Sequence, residues 1–135
     1  MMEPLLVADP TFRGTWEALV SEYDDDPKPP IYIGLGDFAQ HIISRQERGD
    51  TQGFDDVFAV IERWHVEGDR FVSNAATVGF LESLQNWLGG NDRGEGLGGV
   101  RAADFEPYLG AVSRTWWEKL YCFWDGNDTA LRFNS

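Results

Sequence analysis

The chain has 135 residues, 15.3 kDa, 42% hydrophobic content and 23 acidic side chains against 11 Lys and Arg, for a net charge of −12. A chain of this length fits a single domain, residues 1–135, that buries enough surface to fold without metal or disulfide, and the lone Cys122 rules out an intrachain disulfide. So acidic a field repels nucleic acid and anionic membrane and attracts cationic proteins or metal ions.

The charge is uneven. Residues 1–30 hold seven acids and two bases, and residues 50–69 hold six acids and one base, whereas 31–49 and 70–90 are neutral. The opening MMEPLLVADP lacks the basic region of a secretory leader, and no apolar run approaches a membrane span. The expected location is the cytoplasm.

Asp9 or Thr11 is placed to cap a helix over 11–23, with Phe12, Trp16, Leu19, Val20 and Tyr23 on its inner face. The run Asp24-Asp25-Asp26-Pro27-Lys28-Pro29-Pro30 ends it in an exposed loop, because three prolines in four residues cannot be helix interior. Ile31-Tyr32-Ile33 reads as an extended lead-in, and Asp37 as the N-cap of a helix over 38–48. Residues 53–67 give the cleanest period. Phe54, Val57, Phe58, Ile61, Trp64 and His65 share one face, and Asp55, Asp56, Glu62, Arg63 and Glu67 the other.

Asp69 caps the next helix, 71–88, which carries one charged residue, Glu82, and is apolar around most of its circumference. Small residues at Ala75, Ala76 and Gly79 allow close backbone approach. The glycine-rich run 89–99 reads as a mobile loop, and a last helix spans 104–124 with Pro107 in its first turn. No strand pattern persists. The predicted fold is all-α: a bundle of about five helices around a buried central helix, 71–88.

Little here makes a reaction centre. Gly94-x-Gly96-x-x-Gly99 matches a dinucleotide fingerprint literally, but that fingerprint ends a strand and opens a helix, and here a helix precedes it. Cys122 lies among aromatics with no adjacent cation, and reads as a core thiol. No spacing of His, Cys or carboxylate suggests a metal site, and no cofactor is expected. His41 and His65 fall on inward-facing positions, where a histidine is usually a hydrogen-bonded core residue. Glu82 asks for a partner, with Arg114 or Arg45 the candidates.

Three stretches carry a resemblance: Gly36-Asp37-Phe38, the segment Val72 to Leu84 (V-x-N-A-x-x-V-G-F-L-E-x-L), and Tyr108 to Trp117 (Y-L-G-x-x-S-R-x-x-W). Across about residues 31–124 the chain resembles a bacterial family of small helical domains of unknown function. Its members are similar to immunity proteins encoded beside polymorphic secreted toxins, which implies a tight protein partner and no catalysis.

Charge and resemblance together lead to the expectation of a non-enzymatic, antitoxin-like protein. It would bind a cognate, basic effector through Asp24, Asp25, Asp26, Asp55, Asp56, Glu62 and Glu67, with Trp117 or Trp124 as an aromatic anchor if exposed. It would itself be a monomer or weak dimer. One alternative is an enzyme or small-ligand domain with a pocket around Glu82, His41 and His65. Another is a scaffold that self-associates through its aromatic last helix.

Overall fold

A central helix, 70–87, lies against two others, 31–47 and 54–67, and the rest of the chain dresses them. The computed structural model describes residues 1–89 and 99–124, without the side chains of residues 123 and 124. Residues 90–98 of the glycine-rich run, predicted as a mobile loop, and the tail from 125 lie outside the described residues. In chain order the helices are α1 (Glu3–Ala8), α2 (Arg13–Glu22), α3 (Ile31–Glu47), α4 (Phe54–Glu67), α5 (Arg70–Asn74), α6 (Glu82–Trp87) and α7 (Ala111–Trp124). Short 3-10 turns cover Pro10–Phe12 and Ala102–Tyr108, and a π-helical segment, Ala75–Leu81, joins α5 to α6. The fold is all-α, as predicted.

Helix α4 matches its pattern: Gly53 enters with a positive φ of 82° and Gly68 ends it. Gly53 also lies so close to the Ala8 carbonyl, 2.7 Å from where a Cβ would stand, that α1 could not pack there against a larger residue. Helix α1 was not predicted. It is a six-residue turn with Pro4 in its first turn and Leu5 and Leu6 buried against α4. Six residues hold too few turns for a 3.6-residue period to show.

The lead-in of the third helix is a correction. Ile31-Tyr32-Ile33 is the first turn of α3, not an extended lead-in, and Asp37 is an exposed mid-helix residue, not a cap. Pro29 and Pro30 explain this. Proline just outside a helix costs nothing, since the first amides lack intrahelical partners anyway. Gly34 and Gly36 have low intrinsic helix propensity, but at Gly34 a Cβ would lie 2.5 Å from the Trp16 ring, so the small residue is what lets α2 lie against α3.

The central helix, 70–87, runs as one body through its π segment. Asp69 caps it as expected, accepting from the Val72 amide at 2.9 Å. The wider π turn shifts the phase of the helix, so Ala75, Ala76, Thr77, Gly79, Phe80 and Leu81 are all buried. Phe71, Val78 and Trp87 are exposed, so the helix is not enclosed on every side. Gly79 takes its close approach from α3, with Leu35 2.8 Å from the position of a Cβ.

The predicted helix 104–124 is two elements. Ala102–Tyr108 is a 3-10 turn that buries Phe105 and contains Pro107; the chain straightens at Leu109 and restarts at Ala111. Trp117, Leu120 and Tyr121 of α7 are buried, whereas Cys122 is exposed and so is not a core thiol. One aromatic line crosses the core: Phe12 to Phe38 at 5.0 Å, Phe38 to Phe80 at 5.7 Å, Phe80 to Phe58 at 5.6 Å, and Phe58 to Tyr108 at 5.5 Å. It ties the first 3-10 turn, α3, the π segment, α4 and the second 3-10 turn into one packed unit.

Candidate functional site

The seven nominated acids fall in three settings. Asp24, Asp25 and Asp26 are exposed between α2 and α3, where the Asp26 carboxylate accepts from the Lys28 amide at 2.9 Å and shapes the turn. Asp55, Asp56 and Glu67 are exposed on α4. Among the described residues none of these six makes an ion pair.

Glu62 differs. Its two carboxylate oxygens accept from the amides of Val112 (3.0 Å) and Ser113 (2.8 Å), closing the first turn of α7. Burial pushes this carboxyl up, but the bonds from Ser113 and Val112, with His65 nearby, outweigh it and hold it below the ordinary value. Glu62 is therefore a helix cap supplied from 50 residues away. Gly110 makes room for it, because a Cβ there would overlap the carboxyl.

The three groups proposed as a pocket do not converge. His65 hydrogen-bonds through Nδ1 to the Ser113 hydroxyl and through Nε2 to the Thr77 hydroxyl, both at 2.8 Å. Burial lowers its pKa to about 4, against the opposing pull of the nearby Glu62 carboxylate. His41 lies elsewhere, its Nε2 2.9 Å from the Thr11 hydroxyl and 3.1 Å from Asp9. Burial lowers its pKa too, partly opposed by Asp9. It opens onto a cleft of about 510 Å³ with Asp37, Ser44 and Arg48, which neither His65 nor Glu82 lines. Among the described residues no cluster of His, Cys, Asp and Glu could hold a metal ion.

Neither suggested partner reaches Glu82. Arg45 is bound by the buried Asp9 at 2.9 Å, by Asp50 at 2.9 and 3.1 Å, and by the Gln52 carbonyl at 2.6 Å. Arg114 donates to the Glu106 carbonyl. Partial burial without a counter-ion raises the Glu82 pKa. Trp117 is fully buried and donates to Glu106 at 3.0 Å, so it is not an exposed anchor; the side chain of Trp124 lies outside the described residues.

A groove that the sequence pattern did not announce runs between α1 and α4. Three hollows of about 380, 450 and 280 Å³ adjoin one another along it. The first two share Ala8 and Asp56, and the last two share Pro4 and Arg63. Asp50 and Asp56 stand at one end, Val7 and Ala59 in the middle, and Arg63 and Glu67 at the other. Val7 is 67% exposed, an apolar side chain left in solvent. The signal for the α4 wall was present: Asp56, Ala59, Arg63 and Glu67 recur every three or four residues on its outer face. The α1 wall was hidden by the brevity of that helix.

These features define a class: a small all-α domain whose histidines are hydrogen-bonded to side-chain hydroxyls and whose surface carries an excess of exposed acids. The chain belongs to a domain family of unknown function, DUF7674, whose model matches residues 2–125. No curated protein and no solved structure matches it. No helix among the described residues is long and apolar enough to cross a membrane.

Proposed function

We propose that this chain is an immunity-type binding protein that neutralises a cationic protein effector by occupying its basic surface. The observation that carries this reading is the set of six exposed acids without counter-ions, Asp24, Asp25, Asp26, Asp55, Asp56 and Glu67. A charge left unpaired on a net −12 surface is free to meet a basic partner, and complementarity of this kind speeds encounter by orders of magnitude. Glu62 leaves the partner-binding set because α7 uses both its oxygens. The resemblance to immunity proteins points the same way, and so does a pair of histidines engaged in internal hydrogen bonds.

The test is co-expression with the product of the adjacent reading frame, reading out growth rescue and a co-purifying complex. Reversal of Asp24, Asp25 and Asp26 together with Asp55 and Asp56 to lysine is expected to weaken the complex and flatten its salt dependence. Unchanged affinity and salt dependence in that variant would overturn the acidic-surface mechanism.

A further inference from the structure

We infer that the groove between α1 and α4 is the docking site itself, and that it takes an amphipathic cationic segment of a protein partner. A basic side chain would lie at the Asp56 end and apolar side chains against Val7 and Ala59. This deepens the acidic-binding reading and rests on it.

Four observations favour this occupant. The floor is apolar at its middle, where Val7 is exposed and Pro4 and Ala59 lie alongside, so charge alone does not satisfy it. The ends differ in charge. At the first end Asp50 is already held by Arg45, which leaves Asp56 to meet a cation, while at the far end Arg63 and Glu67 offset each other, so the occupant has a direction. The walls are anchored: Leu5 and Leu6 are buried beneath α1, and the Asp9–Arg45–Asp50 network fixes the turn into α4, so docking orders little that is not ordered already. From Asp56 to Glu67 the groove runs about 16 Å along α4, the length of about three helical turns. The charge of −12 argues against the other occupants, since a second copy and an anionic membrane would both be repelled. The Asp24–Asp26 loop has charge but borders none of these hollows, which suits it to steering rather than seating.

The test uses the full chain and two synthetic probes: hexalysine, and a twelve-residue peptide with two lysines at one end and leucines at helical three- and four-residue spacing. Amide NMR shifts caused by the amphipathic peptide are expected along residues 4–8 and 54–67. Val7→Asp and Asp56→Lys, each checked for unchanged thermal unfolding, are expected to weaken it by about tenfold or more, the loss typical of an anchor position. Shifts centred on residues 24–30, or hexalysine binding as tightly as the peptide, would overturn the groove and leave the acidic-binding reading standing. Failure of both probes to bind at low salt would overturn both. A Val7→Trp variant that blue-shifts with anionic vesicles would assign the groove to a membrane. A dimer that dissociates in Val7→Asp would assign it to a second copy. Either result would also refute the proposal.

Discussion

Glu62 and Gly110 behave as one device, and their substitutions should not add. Glu62→Ala removes the acceptor of two α7 amides and should cost about 1–2 kcal/mol, the usual range for a lost cap. Gly110→Ala should cost about the same for the same reason, since the added methyl displaces the flexible carboxyl and the cap goes with it. The double variant is then expected to be no less stable than either single one in urea titrations; full additivity would show that Gly110 has a separate role. His65 gives the pH dependence. Its folded pKa, about 4, lies below the ordinary 6.5, so the unfolded chain binds the extra proton between those values. Stability from this group is complete above pH 6.5 and falls as pH drops towards 4, by up to about 3 kcal/mol. Comparing urea midpoints at pH 7 and 5 for the native chain and His65→Gln checks it, the variant being the flatter of the two. Glu82 has the opposite sign. Its raised pKa means the folded state favours the neutral acid, so Glu82→Gln should raise the midpoint at pH 7 and leave it unchanged near pH 4. A helical wheel read Glu62 as a solvent charge because it reports one helix and cannot see that another begins beside it.

The elements show which sequence signals carry their own context. Helix α4 was legible almost to the residue because a long amphipathic stripe is decided within its own 14 residues. The start of α3 was misread because Pro29-Pro30, Gly34 and Gly36 are local breakers, overridden here by packing between helices. The two glycines separate that packing from propensity. Gly34→Ala places a methyl 2.5 Å from the Trp16 ring and should destabilise by about 1–3 kcal/mol, less whatever helix propensity returns. Gly36→Ala meets nothing nearer than the Ser83 hydroxyl at 3.8 Å and should stabilise by about 0.5–1 kcal/mol. Thermal unfolding of the two variants should therefore move in opposite directions. The π segment was illegible for a related reason: a 3.6-residue wheel drifts out of phase across it.

At the scale of the whole molecule, charge and shape are in different places, and kinetics can tell them apart. The Asp24–Asp26 loop sits at the far end of α2, about 15 Å along its axis from Arg13, and so stands apart from a groove whose nearer end is formed by Asp9, Pro10 and Thr11. Exposed charges that do not seat a partner act through the long-range field. Their removal slows association and reduces its sensitivity to salt, but leaves dissociation almost unchanged. Contacts in an apolar hollow act after encounter, so their loss speeds dissociation. With the effector from the adjacent reading frame immobilised, a charge-neutral Asp24→Asn/Asp25→Asn/Asp26→Asn variant should associate severalfold more slowly at low ionic strength. It should converge on the native rate near 1 M salt, where the screening length falls to about 3 Å. Val7→Asp should associate at nearly the native rate and dissociate about tenfold faster or more at any salt concentration. If the loop variant instead changed only dissociation, the aspartates would be part of the contact, and the division between a steering loop and a seating groove would have to be reversed.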